Sequence, residues 1–158
     1  MTIRLLATPL VAATLLLSTL GCSKKEAAAP AVTGSYKLDG VVKTCQVTAL
    51  SVPASSSTQV PGDQLLLTLI TTPQPAGGPE GIVLTFSKPF GQPPAAYQLD
   101  GFAYLLGTSG TPYNNEVTTL QEASGSYSGT FSGTPATTGT GTTLARKITD
   151  GVFAGVRP

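Results

Sequence analysis

The chain has 158 residues with nine basic and eight acidic side chains, a formal net charge of +1. It contains no histidine, which excludes Ser-His and Cys-His nucleophile pairs, imidazole metal sites and imidazole acid–base catalysis. The near-zero net charge gives no electrostatic reason to expect nucleic acid as a partner. The length fits a single domain.

The N-terminus has a pattern typical of an export signal. A positive charge at Arg4 precedes an apolar run over 5–20, and the run stops at Gly21-Cys22. The run is shorter than the ~20 apolar residues that a permanent bilayer-spanning helix needs, and it suits the apolar region of a signal peptide. We therefore predict that residues 1–21 are a signal peptide.

The junction resembles a bacterial lipoprotein signal. Such a signal is cleaved before an acylated cysteine, which here implies cleavage between Gly21 and Cys22 and lipidation of Cys22. Thr19 and Leu20 depart from the usual leucine and small residue, and an ordinary secretory signal cut nearby is the alternative. Acyl chains contribute ~0.8 kcal/mol per buried CH₂, so several would hold the protein on a membrane. Ser23 implies the outer membrane, by resemblance to lipoprotein sorting.

Two segments follow the predicted cleavage site. Residues 22–33 are predicted to be the lipidated cysteine and a flexible tether, because this segment is small, charged and contains Pro30. From Gly34 onward, short runs rich in Val, Leu, Ile, Thr, Tyr and Phe alternate with Gly, Pro, Asp and Asn, which is typical of strands and turns. The sequence therefore predicts one β-domain over 34–158.

Alternation and turn residues place the strands of this domain. Asp39-Gly40, Asp100-Gly101 and Asp150-Gly151 lie between strand runs and predict two-residue hairpins. Longer loops are predicted over 60–63, 75–79, 110–115 and 135–143. The predicted strands are Ser35–Leu38, Val41–Val52, Gln64–Thr71, Gly81–Ser87, Ala96–Leu99, Phe102–Leu106, Glu116–Leu120, Ser124–Ser132, Leu144–Thr149 and Val152–Val156.

Eight to ten short strands predict an all-β fold, either an antiparallel β-sandwich or a closed, lipocalin-like β-barrel. The uneven strand lengths and irregular loops favour the sandwich. The run over 64–71 is apolar on both faces, which predicts a central strand. Cys45 shares one face with Val47 and Ala49, so we expect a buried free thiol that behaves as a small hydrophobe.

Four segments resemble a family of small, uncharacterised lipoproteins of the Bacteroidetes type. The segments are Tyr36-Lys37-Leu38-Asp39-Gly40, Glu116-Val117-Thr118-Thr119-Leu120, Gly125-Ser126-Tyr127-Ser128-Gly129-Thr130-Phe131-Ser132-Gly133 and Ile148-Thr149-Asp150-Gly151-Val152-Phe153. The chain departs from the family's pattern by lacking an aromatic residue shortly after Asp39-Gly40 and by a Thr/Gly-rich insert over 137–143. This family is a domain of unknown function, so the resemblance implies a cell-envelope compartment and a β fold and transfers no active site.

The amino-acid sequence contains no recognisable catalytic motif. Glu116 and Glu122 are the candidates for a two-carboxylate hydrolase, but solvated charges are the favoured interpretation. Asp63 and Glu80 are candidates for Ca²⁺ ligation, although their spacing matches no known loop. We therefore predict no catalytic residue, no cofactor and no metal site.

Two further groups of residues are candidate binding sites. Arg146 and Lys147 are adjacent on a predicted strand and so point to opposite faces, which disfavours a joint anion site. The second group is a cluster of aromatic residues. We favour core packing for these residues over an exposed surface that stacks on sugar rings or anchors a protein partner. The members of the cluster are Tyr97, Phe102, Tyr104 and Tyr113.

These observations predict a lipid-anchored lipoprotein of the bacterial outer membrane with a non-enzymatic β-domain that binds or scaffolds. The expected partners are the membrane, through the lipid on Cys22, and an envelope protein or glycan, without nucleic acid. A carboxylate-based glycan hydrolase is the alternative, as is a small-ligand carrier if the fold closes as a barrel.

Overall fold

A computed structural model describes residues 32–54, 62–136 and 146–158, which form eight antiparallel strands closed into a barrel. Each strand pairs with the next along the chain, and the last pairs with the first, which is an up-and-down barrel. A 3-10 turn, Pro94–Ala96, precedes the fifth strand. The strands are β1 (Thr33–Leu38), β2 (Val41–Val52), β3 (Gly62–Thr71), β4 (Glu80–Pro89), β5 (Gln98–Leu106), β6 (Ser109–Ala123), β7 (Ser126–Pro135) and β8 (Ile148–Val156).

The all-β, antiparallel prediction is confirmed, and of the two architectures considered the molecule adopts the closed barrel. The favoured sandwich does not form, because β1 and β8 pair from Gly34↔Phe153 to Leu38↔Ile148 and join the sheet into one ring. The predicted leader, Cys22 and the tether up to residue 31 lie outside the described residues. Within the part of the chain that the structure describes, no helix is long and apolar enough to cross a membrane.

The three Asp-Gly pairs have two different roles. Asp39-Gly40 is the predicted hairpin, since Leu38 pairs with Val41 and both turn residues have positive φ, 51° and 81°. Asp100-Gly101 and Asp150-Gly151 are instead inside β5 and β8, so those two hairpin predictions are wrong. Both pairs coincide with register shifts, and Asp150 has a φ of 51°. These residues therefore form β-bulges, which bend a strand and increase its twist.

The remaining turns also differ in part from the prediction. The loop over 75–79 is confirmed, but the loop predicted over 110–115 belongs to β6, which follows a two-residue turn at Gly107-Thr108. A second tight turn, Ser124-Gly125, joins β6 to β7. Residues 60–61 and 137–145, which include parts of predicted loops and of one predicted strand, lie outside the described ranges.

Inward-pointing side chains fill the barrel. Phe131 lies at the centre of an aromatic cluster, with its ring centroid 5.9 Å from that of Phe102, 6.4 Å from Tyr36 and 6.5 Å from Phe153. On β3 the residues Leu65, Leu67 and Leu69 are fully buried, while the alternate residues are half-buried. Cys45 is a buried free cysteine, as predicted, and burial raises the pKa of its thiol to about 11.

Several aromatic rings lie directly over glycines of neighbouring strands. A Cβ atom added to Gly151 would lie 2.5 Å from the ring of Phe131, and one added to Gly133 would lie 2.6 Å from the ring of Phe102. A Cβ atom added to Gly129 would lie 2.7 Å from the ring of Phe153. Because glycine has no side chain, the rings occupy the space where an inward residue would otherwise project.

We expect Gly151→Ala to destabilise the barrel by about 1–3 kcal/mol, the usual cost of overpacking a well-filled core. All three atoms nearest to the new Cβ belong to the Phe131 ring, so this ring would have to move. Gly77→Ala is the matched control, because it meets no atom within 4 Å and its backbone is not left-handed. Urea unfolding measures both, and equal midpoints for the two variants would contradict the prediction.

Candidate functional site

A buried carboxylate lies at one end of the barrel, where β4 begins; we call this the Glu80 end. Glu80 follows Pro79 and shares the inward alternation of Ile82 and Leu84, so its side chain enters the barrel and is 4% exposed. The Nζ atom of Lys43 lies 3.0 Å from Oε2, and the Tyr104 hydroxyl donates to Oε1 at 2.8 Å. Both carboxylate oxygens are therefore hydrogen-bonded, which makes a buried charge tolerable.

The chain of contacts continues to Arg146, which lies just before β8. Its Nη1 atom donates to the Tyr104 hydroxyl at 3.2 Å, while its carbonyl oxygen accepts a hydrogen bond from the Tyr113 hydroxyl at 2.6 Å. We call Lys43, Glu80, Tyr104 and Arg146 the Glu80 network. It connects β2, β4, β5 and the approach to β8.

The phenols at this end are held neutral. Burial, followed by the hydrogen bond to Glu80, raises the pKa of Tyr104 to about 12, and Arg146 opposes this shift. Burial also raises the pKa of Tyr113, with a smaller contribution from the Asp39 carboxylate. Both hydroxyls therefore keep their protons at neutral pH and can donate hydrogen bonds.

A pocket of about 340 Å³ opens beside the network. It is lined by Tyr104, Leu106, Ser109, Thr111, Tyr113, Pro135 and Arg146. The lining residues that belong to β5, β6 and β7 alternate in step with the buried residues of those strands, so they lie on the inward face. They are at the ends of these strands, and the pocket is therefore in the mouth of the barrel. We call it the mouth pocket. Ligand sites in barrels occur preferentially at such mouths, and the volume is at the lower end of the usual range.

Glu116 and Glu122, the candidates for a two-carboxylate hydrolase, have separate local partners. Glu116 is ion-paired with Lys147 at 3.2 Å and partly exposed, whereas Glu122 accepts the Gly125 N–H at 2.5 Å in the β6–β7 turn. Each carboxylate has its own local partner, so the favoured interpretation, solvated charges, agrees with the structure. A glycosidase requires two carboxyl groups that flank one substrate bond.

Asp63 and Glu80 are at opposite ends of the barrel. Asp63 is near the start of β3 and pairs with Lys88 near the end of β4, whereas Glu80 begins β4. The Ala54 N–H, which donates to Asp63 at 2.9 Å, and the Lys88 ammonium hold the pKa of this carboxyl below its usual value. Over the described ranges no cluster of three potential metal-ligating side chains is present.

The structure also places the basic and aromatic candidates. Arg146 reaches inward to Tyr104 while Lys147 reaches outward to Glu116, so the two point apart as predicted. Phe102, Tyr104 and Tyr113 are buried, and Tyr97 packs against the core, which confirms the core interpretation. Two of these aromatic residues, Tyr104 and Tyr113, also line the mouth pocket.

The sequence interpretation missed the Lys43–Glu80 pair. The sequence does contain a signal for it. Lys43 lies two residues before Cys45, on the inward face of β2, and Glu80 lies two residues before Ile82, on the inward face of β4. Two opposite charges at the ends of inward-facing alternations indicate a buried ion pair only if both side chains enter the same end of one interior. Because β3 lies between β2 and β4 in the sheet, the contact reaches across β3 and depends on the tertiary fold.

A second depression, of about 480 Å³, lies on the outer surface across β6, β7 and β8. Val117 and Val152 provide its exposed apolar side chains, at 56% and 44%. Its charged residues already have partners, since Lys147 pairs with Glu116 and Asp150 pairs with Lys37. The mouth pocket is therefore the stronger candidate for a binding site.

No protein-family model, curated protein or solved structure matches this chain.

We expect Lys43→Met to destabilise the protein by about 2–4 kcal/mol, because it leaves the Glu80 carboxylate buried beside an apolar side chain. The double variant Lys43→Met/Glu80→Gln should recover part of that loss, since it removes the uncompensated charge. Lys37→Met is the control: its partner Asp150 is 65% exposed, and exposed pairs contribute about 0–1 kcal/mol. Urea unfolding of the three variants measures this, and equal losses for Lys37→Met and Lys43→Met would refute it.

We also expect stability to fall as the pH rises from 10 to 12. The pKa of Tyr104 is raised from 10.0 to about 12, so between these values the folded state binds a proton that the unfolded state has lost. The favourable contribution is present below pH 10 and disappears as the pH passes the folded pKa. Tyr104→Phe should flatten this part of the pH–stability curve, and an unchanged slope would show that Tyr104 does not contribute.

Proposed function

We propose that this chain is a lipid-anchored lipoprotein of the bacterial outer membrane whose barrel is a non-enzymatic binding domain. The observation that carries the proposal is the apolar run that ends at Gly21-Cys22 and is followed at once by the charged residues Lys24 and Lys25. A single acyl chain binds membranes only marginally, so stable anchoring requires the several chains that lipoprotein modification supplies.

The side-chain environment of the acidic residues supports binding rather than hydrolysis. Glu116 and Glu122 have separate local partners, and Lys43 neutralises the charge of Glu80. Both oxygens of the Glu80 carboxylate already have hydrogen-bond partners, the Lys43 ammonium and the Tyr104 hydroxyl. These contacts suit a structural role for the three carboxylates.

The packing of the interior supports a ligand site at the mouth. The rings of Phe131, Phe102 and Tyr36 occupy the centre of the barrel, where a lipocalin-like carrier would hold its ligand. An envelope protein, a glycan or a small molecule would therefore meet the protein at the mouth pocket or on the outer surface. The mouth pocket is the specific observation that favours a small-ligand carrier as the second candidate function.

Replacing Cys22 tests the anchor. We expect Cys22→Ser to move the protein from the membrane fraction to the soluble fraction, because the serine hydroxyl does not replace the acylated thiol. Cys45→Ala is the matched control: Cys45 is buried in the barrel, so this variant should stay in the membrane fraction. Mass spectrometry of the native protein should find residue 22 as an acylated N-terminus.

Membrane fractionation of Cys22→Ser that matches the wild type would contradict the proposal. So would a native N-terminus at any residue other than 22, or an unmodified Cys22.

A further inference from the structure

We infer that the mouth pocket binds a small organic carboxylate, whose charged group contacts Arg146 while its apolar body lies against Leu106 and Pro135. This inference rests on the binding function proposed above and specifies the ligand class for it.

The charge of the mouth pocket favours an anion. Among the described residues, the Arg146 guanidinium makes one hydrogen bond, and its partner is the neutral Tyr104 hydroxyl rather than a carboxylate. The buried carboxylate of the same network, Glu80, is already paired with Lys43. The pocket therefore presents one cationic group without an acidic partner in the described part of the chain, which selects for an anion.

The geometry of the Arg146 guanidinium favours a carboxylate. A guanidinium is a planar fork that matches a carboxylate with two parallel hydrogen bonds. One N–H of Arg146 is engaged by Tyr104, and the Tyr113 hydroxyl holds the Arg146 backbone at 2.6 Å, so the residue is fixed at both its backbone and its side chain. A fixed arginine loses less conformational freedom on binding, which strengthens the interaction.

The rest of the pocket lining favours a ligand with an apolar body. Leu106, which is 45% exposed, and Pro135 provide apolar walls, and Ser109 and Thr111 add neutral hydroxyls. One cation beside apolar walls suits a monoanion with an apolar body better than a phosphate, which usually recruits several positive donors. The volume of about 340 Å³ restricts the ligand to a small molecule.

Lys147 provides a matched control for the charge. It is adjacent to Arg146 in sequence, but its Nζ atom lies 3.2 Å from Glu116 on the outer surface. Replacing either residue removes one positive charge, and only the replacement of Arg146 changes the pocket.

Binding is measured by titration calorimetry on the mature full-length protein in detergent, with benzoate and hexanoate as probes and benzamide and hexanamide as their uncharged counterparts. We expect at least one carboxylate to bind, and its amide to bind at least about tenfold more weakly. Arg146→Gln should reduce carboxylate affinity by about tenfold or more, whereas Lys147→Gln should leave it within about twofold.

A second variant keeps the inference testable if Arg146→Gln disturbs the fold. Leu106→Glu adds a negative charge at the rim without altering a member of the Glu80 network, so it should also weaken carboxylate binding. Urea midpoints establish that each variant is folded.

The inference is overturned if neither carboxylate binds at about 10 mM, if amides bind equally well, or if folded Arg146→Gln retains wild-type affinity. Inorganic phosphate binding as tightly as the carboxylates would also overturn it, by indicating a general anion site. Membrane fractionation of Cys22→Ser is independent of all these outcomes, so failure of the anchor and failure of the pocket are separately visible.

Discussion

The barrel depends on aromatic rings that pack over glycines of neighbouring strands. An eight-stranded barrel has an interior that side chains can just fill, so closure limits the total volume that the strands can direct inward. Phe131, Phe102 and Phe153 are large, and they are accommodated because Gly151, Gly133 and Gly129 project nothing toward them. The same glycines allow the strong local coiling that closes a sheet. The same ring-over-glycine contacts therefore fill the interior of the barrel and allow the sheet to close.

This filled interior determines where polar chemistry is possible. The centre has no space for a carboxylate with its partners, and Glu80 is instead at the end of the barrel, where Lys43 reaches it with a side chain that is 27% exposed. Tyr104 and Arg146 extend the hydrogen-bonded chain across the mouth. The same arrangement that satisfies the buried charge thus brings an arginine and two phenols to the edge of a pocket.

The sequence predicts the local features of this fold and misses those that depend on closure. The Asp39-Gly40 hairpin and the inward face of β2 around Cys45 follow from turn chemistry and alternation, which are local. The Asp100-Gly101 and Asp150-Gly151 pairs carry the same turn chemistry, yet they form bulges because the strands on both sides continue in the same direction. Sandwich and barrel differ by the β1–β8 pairing, which joins residues from the two ends of the domain and has no local signal. The Lys43–Glu80 contact also lacks a local signal, because it joins side chains from β2 and β4 across the strand between them.

The direction of β1 links the anchor proposal to the mouth pocket. β1 begins at Thr33 and ends at Leu38, where the Asp39-Gly40 hairpin leads into β2 at the Glu80 end. The N-terminal segment therefore enters the barrel at the opposite end, the one at which Asp63 and Lys88 pair. If Cys22 carries the lipid, as proposed, the tether therefore joins the barrel at the end opposite the mouth pocket.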